Sequence, residues 1–314
     1  MDMTLPNGMT ISTYSPPSGF DPLHASDAEL VKAGFPPRPT DPRILDRYNR
    51  VLTSLKGKLN YITPTFRYEE NIVHGPRRRI ADAGTETSTN WSGGVVYAPP
   101  GESFYWVNGD WVIPAVDAPT ENQWYYCASW VGIDGDRSDD VCQAGIESAV
   151  YRSGNSITTQ YYAWTEWYPA ASVAITNFPV SPGDMVTCLI CTSGAGATSA
   201  QVYFSNRTTG VTTSLNFTAP TQPTRTSLIG NCAEWVVEAP QINGEQSAMA
   251  DYGQVFFNEC LSVAEQPTAA TLVDGGTGDN IDLYVNPANP DTEVSEGILV
   301  SATVVECLYV GTLP

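Results

Sequence analysis

The sequence predicts an all-β protein, an antiparallel sandwich or barrel, preceded by a short helical N-terminal segment. Three observations lead there. From Trp91 onward, short β-rich runs alternate with Gly, Pro, Asn and Asp, with no convincing helix between them. Charged residues are only 16% of the 314-residue chain, where about a quarter is usual, and Tyr, Trp, Thr, Ser and Gly fill the gap. Helical grammar is confined to the first part of the chain.

The elements follow in order. Ser26-Asp27-Ala28-Glu29 fits a capping box, and its short helix should end before Gly34 and Pro36. Asp41-Pro42 places a cap and a first-turn proline ahead of a second helix. There Ile44, Leu45, Tyr48, Val51, Leu52 and Leu55 recur near the helical period, with Arg43, Arg47 and Arg50 off that stripe. This helix is expected to dock an apolar face and present a basic one. From His74 to Asn90 the chain is Gly-, Arg-, Thr- and Ser-rich around Arg77-Arg78-Arg79, which reads as an exposed linker, either ordinary or a site of proteolysis. The strand runs are Phe104–Ile113, Trp124–Ile133, Ile157–Tyr168, Met185–Thr192, Gln201–Ser205, Val211–Thr218, Ala233–Val237, Gln254–Phe257, Ile281–Val285 and Ile298–Tyr309. The chain therefore divides into a basic, partly helical segment with its linker, 1–84, and a strand-rich domain, 85–314.

Charge divides the same way. The first 80 residues hold 11 of the 15 basic and 8 of the 34 acidic residues, so the remainder is strongly acidic within a net charge of -19. Such a body argues against nucleic acid, whose phosphates need Lys and Arg. A basic segment ahead of an acidic body suggests two parts held together by charge. No stretch is long and apolar enough to span a membrane, and the first residues show no signal peptide. Three Asn-x-Ser/Thr triplets, at Asn90, Asn206 and Asn216, carry little weight in so Thr/Ser-rich a chain. All seven cysteines lie in the acidic body, where buried thiols and a few disulfides are expected. Cys188 and Cys191 sit on one strand with side chains to opposite faces, which disfavours a bond between them.

Both histidines, His24 and His74, precede the strand-rich body. A body without histidine cannot run Ser-His or Cys-His chemistry and lacks His-x-x-x-His metal spacing. Carboxylates and amides must do the work, with no metal or cofactor. Four segments are chemically loaded. Trp130-Val131-Gly132-Ile133-Asp134-Gly135 offers a flat wall and a close approach, or simply a buried strand ending in a turn. In Val141–Glu147, alternation sends Cys142, Ala144 and Ile146 to the core and Gln143 and Glu147 to the other face, where an amide could serve a developing oxyanion. Tyr162, Trp164, Glu166 and Tyr168 share one strand face, a carboxylate in an aromatic wall that suits a peptide or a sugar groove. Glu234 and Glu238 share a face roughly 13 Å apart, too far to act as a pair, and read alone as solvated.

Together these segments resemble the glutamic peptidases, or eqolisins, over roughly residues 88 to 310. The matching pieces are Asn90-Trp91-Ser92-Gly93-Gly94, Ala128–Asp136, Gln143-Ala144-Gly145, Ala163–Pro169 and Ala233–Glu238, in order and at similar spacing. The resemblance implies a concanavalin-like sandwich of two bent antiparallel sheets with the site on the concave face. It implies an acid-acting endopeptidase whose dyad maps to Gln143 and Glu238, with Trp130, Asp134, Glu147, Tyr162, Trp164 and Glu166 binding substrate. It further implies polypeptide substrates, a monomer, an extracellular location and a propeptide role for residues 1–84. The chain departs from the family at Glu147 and Tyr162, where members carry Asp, and Cys142 beside Gln143 leaves the family's disulfide pattern without a match. The alternative is a glycan-binding or glycan-hydrolysing sandwich, with Glu238 facing Glu166 or Glu147 across the cleft.

Overall fold

The computed structural model describes residues 2–40, 42–54, 60–79, 87–222, 226–264, 278–285 and 292–311. The N-terminal part contributes β1 (Asp2–Thr4), β2 (Thr10–Thr13), α1 (Asp27–Lys32), α2 (Pro42–Ser54), β3 (Asn60–Tyr61), β4 (Phe66–Glu69) and β5 (Ile72–Val73). Then follow β6 (Thr87–Ser88), β7 (Trp91–Tyr97), β8 (Phe104–Val112), β9 (Trp124–Asp134), β10 (Val141–Ser153), β11 (Ser156–Trp167), β12 (Ser172–Ile175), β13 (Met185–Thr192), β14 (Ser199–Asn206), β15 (Val211–Thr218) and β16 (Cys232–Glu238). The chain closes with β17 (Gln241–Ile242), β18 (Glu245–Gln246), β19 (Ala248–Met249), β20 (Gln254–Ala264), β21 (Gly278–Tyr284), β22 (Glu293–Ser301) and β23 (Val304–Tyr309).

Antiparallel pairing runs without a break through β4–β12–β11–β10–β9–β16–β7–β21–β22–β23–β20–β8–β13–β14–β15–β2–β1. Strands from different parts of this order pack face to face over the main core, where Val131, Ile133, Cys142 and Trp235 meet Trp111, Val186 and Cys188. The Trp235 indole crosses this core to donate to the Asn108 carbonyl at 2.9 Å.

Most strands lie where the alternation placed them, and two differ for local reasons. The run Ile298–Tyr309 is two strands, β22 and β23, paired with each other across a turn at Ala302-Thr303. The strand begun at Gln254 continues to Ala264 past a bulge between Asn258 and Leu261, where Glu259 takes φ 52°.

The N-terminal part is woven into the body. β2 and β3 pair with β15, β4 extends the sheet beyond β12, and β5 pairs with β17. Helix α1 carries the capping box, with Ser26 and Glu29 exchanging bonds. Helix α2 begins at Pro42; its expected cap Asp41, and Leu55, lie outside the described residues. Ile44, Tyr48, Val51 and Leu52 pack on Trp106, Leu189, Tyr203 and Leu261. Arg47 does not face solvent as expected. It is buried in this contact, 2.6 Å from Asp110, because a guanidinium pressed against an acidic sheet is stable only where a carboxylate meets it.

All seven cysteines are unpaired thiols, so the expected disulfides are absent. Alternation disperses them: Cys188 points into the main core, while Cys191 packs with the residues under α2.

Candidate active site

Directly paired strand residues share a face, so the register builds the site. Gln143 of β10 sits between Gly132 of β9 and Glu166 of β11, and Gly132 is followed by Glu234 of β16. Two residues along, Gly145 lies between Trp130 and Trp164, and Trp130 is followed by Val236. Two further, Glu147 lies between Ala128 and Tyr162, and Ala128 is followed by Glu238. Three rows of one sheet face thus collect Gln143, Glu147, Tyr162, Trp164, Glu166, Trp130, Glu234 and Glu238. The glycines are required by Trp130. A Cβ on Gly145 would lie 2.4 Å from the Trp130 Cβ, and one on Gly132 2.7 Å from its ring. With that room, the Trp130 indole lies flat enough to donate from Nε1 to Glu238 Oε2 at 3.1 Å.

This face is not open. The segment after β5 crosses it and buries Gln143, Glu147, Trp164, Glu166 and Glu238. Residues 74–79 are therefore not the exposed linker expected. Gln143 Nε2 donates to the His74 carbonyl oxygen at 2.5 Å. The His74 backbone N–H donates to Glu166 Oε1 and Oε2 at 3.0 and 3.1 Å. The imidazole stacks on Trp164 with ring centres 3.6 Å apart and planes 5° off parallel. Its Nδ1 is 2.9 Å from Glu166 Oε2 and its Nε2 is 3.1 Å from Glu147 Oε2. Next, Trp91 Nε1 donates to the Gly75 carbonyl at 3.0 Å, and Asn90 Nδ2 lies between the Pro76 carbonyl at 3.1 Å and Glu238 Oε1 at 3.2 Å. Gln143 therefore touches this peptide directly, and Glu238 is linked to it through Asn90. Beyond them, Arg79 forks onto Asp136 at 2.6 and 2.9 Å, and Arg77 lies 3.5 Å from the same carboxylate.

Electrostatics follow from this cover. Burial holds Glu238, Glu166 and Glu234 well above the usual carboxylate range, and the Asn90 and Trp130 bonds to Glu238 only partly oppose it. Burial lifts Glu147 to about 8 and pushes His74 down to about 3. Both nitrogens of a neutral imidazole are engaged: Nδ1–H donates to Glu166 and a protonated Glu147 donates to Nε2, while Glu147 Oε1 has no partner.

Of the residues singled out from sequence, Gln143, Glu238, Trp130, Glu147, Tyr162, Trp164 and Glu166 share the face. Tyr162 also lies under the Arg67 guanidinium, 6.0 Å from its ring centre. Asp134 is elsewhere: its oxygens accept the backbone N–H groups of Ile229, Gly230 and Asn231 at 2.6, 3.1 and 2.8 Å. Glu234 is buried beside Gly132, not solvated. Three residues went unassigned in the sequence: His74, Asn90 and Trp91. Asn90 and Trp91 stood in a matching piece that gave position but no role. His74 carried no signal, because nothing local ties it to strands seventy residues on.

Comparison with known proteins agrees with this geometry. The model of the Peptidase A4 family matches residues 89–303. Aspergillopepsin-2 of Aspergillus niger is 30% identical over 211 residues, 60% of this chain and 71% of that protein. Scytalidopepsin B of Scytalidium lignicola is 24% identical over 235 residues, 75% of this chain and 83% of that protein. The crystal structure of scytalido-glutamic peptidase with a transition state analog inhibitor superposes with a TM-score of 0.57 at 25% identity, covering 71% of this chain and 98% of that one. A sheet face that gathers an amide and a carboxylate beneath a covering segment, and a family match over most of the chain, converge on one conclusion: the chain belongs to the peptidase A4 family and is a glutamic-type endopeptidase.

Proposed function

We propose that the chain hydrolyses peptide bonds with a Gln143/Glu238 dyad at acid pH. Glu238 takes a proton from water, which attacks the peptide carbonyl; the Gln143 amide holds the resulting oxyanion; protonated Glu238 then donates to the leaving nitrogen. The observation that carries this is the 2.5 Å bond from Gln143 Nε2 to the His74 carbonyl of a peptide lying across the site. Trp130 and Asn90 position the Glu238 carboxylate from either side. No cofactor is called upon. Family membership sets aside the glycan-active alternative.

Residues 1 to about 84 act as a propeptide in this reading; that boundary lies outside the described residues. Two features support it. The segment fills the cleft with its own backbone, and the burial it imposes raises the Glu238 carboxyl above its usual range, which disfavours the carboxylate that a base needs. Its charges are matched on the body, Arg79 and Arg77 by Asp136 and Arg47 by Asp110. Uncovering hydrates Glu238 and returns it toward the ordinary range near 4. The two halves of the strand order then form the two sheets of the sandwich, and the enzyme works as an extracellular monomer.

Digestion of a denatured protein at acid pH, with a pepsin-type inhibitor present, tests the dyad. Glu238→Gln and Gln143→Ala should each lose at least about a hundredfold in rate. Full activity in Glu238→Gln ends the assignment. Separately made segment 1–84 should inhibit near neutral pH, and no inhibition at any concentration removes the propeptide role.

A further inference from the structure

We propose that residues 1–69 are a permanent part of the working enzyme. The sandwich keeps them as its edge strands and outer cover, without a covalent bond once the chain is cut, and only the strap of residues 74–79 leaves the cleft. The proposal rests on the reading of the cleft-filling segment as inhibitory, and it narrows that role to the strap.

The segment closes the fold at both edges and on one outer face. The continuous strand order begins with β4 and ends with β2 and β1, so the segment supplies the outermost strand at each end. β4 pairs with β12 from Phe66 opposite Ile175 to Glu69 opposite Ser172. At the other end β2 pairs with β15 from Ile11 opposite Phe217 to Thr13 opposite Leu215, and β3 pairs further along that edge at Val211 and Thr212. Without the segment, β12 and β15 would present bare edges, which are templates for pairing with other chains. Met9 and Ile11 moreover belong to the main core and are fully buried.

The outer face lies on β20, β8, β13 and β14. Register sets Leu261, Asn108, Leu189 and Tyr203 in one row and Val263, Trp106, Cys191 and Gln201 in the next. The outer face of an antiparallel sheet is commonly polar. Here Leu261, Leu189, Tyr203, Val263 and Trp106 are buried together with the apolar residues of α1 and α2. Bared, they would form a contiguous apolar patch of the kind that monomeric proteins rarely expose. Polar groups of the face are matched too: Gln201 Nε2 donates to the Gly34 carbonyl at 2.8 Å, and Arg47 lies 2.6 Å from the buried Asp110. The strap is held differently. It joins no strand, and Gln143, Glu166, Asn90 and Asp136 hold it through hydrogen bonds and ion pairs. Lifting the strap hands these polar groups to water, whereas stripping the rest of the segment exposes apolar surface and two unpaired sheet edges.

Two measurements test this on the full chain. In the first, the wild-type chain is held at acid pH until it digests a denatured protein, and the active species is isolated by size exclusion at that pH and analysed by mass spectrometry. It should contain a peptide spanning β1 to β4 in equimolar amount with the body, and the two should part only in denaturant. An active body without that peptide overturns the proposal while leaving the peptidase reading intact. In the second, a recognition site for a sequence-specific protease is placed between Arg79 and Thr87 of Glu238→Gln, and the added protease makes the cut. The two pieces should co-elute, and hydrogen exchange should find β2, α2 and β4 protected as well as β12 and β15, with residues 74–79 exchanging about tenfold faster or more than before the cut. Pieces that part while the body stays folded, or β2, α2 and β4 losing protection together with the strap, or a strap as protected as the strands, overturn it. This arm needs no catalysis, so it decides the proposal even where the first finds no digestion, an outcome that would count against the dyad instead. Inhibition by added segment 1–84 tests the inhibitory reading separately; with a resident copy in place it should set in only as fast as the two exchange.

Discussion

Asp134 sits inside the motif that marks this family, yet its carboxylate bonds to the backbone of residues 229–231 and not to the cleft. Asp134→Ala removes three acceptor bonds at once. The Gly230 N–H is buried and would stay unpaired, at roughly 1–3 kcal/mol. The Ile229 and Asn231 N–H groups are part-buried, so water recovers much of their loss, leaving roughly 1 kcal/mol each. Asp134 also has φ 70°, a conformation that Asp and Asn tolerate better than Ala. The total is about 3–5 kcal/mol, or a fall in Tm of roughly 6–20 °C at the sensitivity of a large domain. Asp134→Asn keeps the backbone preference and one acceptor oxygen, and should cost roughly half as much. The assay is thermal and urea unfolding of the full chain, beside steady-state kinetics. A stable Asp134→Ala chain with a raised KM would refute the reasoning and make Asp134 a substrate contact after all.

Stability should peak on the acid side, near pH 4. Burial raises Glu147 to about 8 and Asp140 to about 7, and it raises Glu166, Glu234 and Glu238 as well. Their contribution is complete below the unfolded values near 4 and is lost as pH rises through the folded ones, at up to about 1.4 kcal/mol per pH unit for each group. His74, pushed down to about 3, works the other way: its contribution is present above about 6.5 and is lost as pH falls toward 3. Melting curves from pH 3 to 8 check this, and a Tm climbing steadily to pH 8 contradicts it. Gly145→Ala should displace Trp130 and with it the Glu238 carboxylate, since the new Cβ would lie 2.3 Å from the Ser129 carbonyl; a loss of rate of about tenfold or more, or a chain that fails to fold, is expected. Thiol titration in denaturant without reductant should count all seven cysteines, and the native protein should react slowly because six are buried and burial holds each thiol above its usual range.

Much of this was legible in the chain because a strand's alternation is local. Gln143 and Glu147 share a face with Gly145 whatever else the protein does, and so do Tyr162, Trp164 and Glu166. Gly132 likewise signalled a close approach beside Trp130, whereas Gly145 gained that meaning only from the register that seats it opposite Trp130. Helix α2 shows where such reasoning stops: its stripe was clear, but Arg47 joined the docked side because Asp110 waited there, and one helix says nothing of its neighbour's charge.

The sequence by itself determined the strands, the face each side chain takes and, through resemblance, the amide and carboxylate proposed as the dyad. Only the tertiary structure decided what those residues touch. Pairing brought β10, β9 and β16 side by side, and the pairing of β5 with β17 leads the chain that follows β5 across their face. That is how His74, from the segment ahead of a body without histidine, came to lie between Glu147 and Glu166. The reason is physical: periodicity fixes the direction of a side chain along its own strand, whereas a contact between residues seventy positions apart depends on which edges pair, and pairing is settled by the burial of the whole chain.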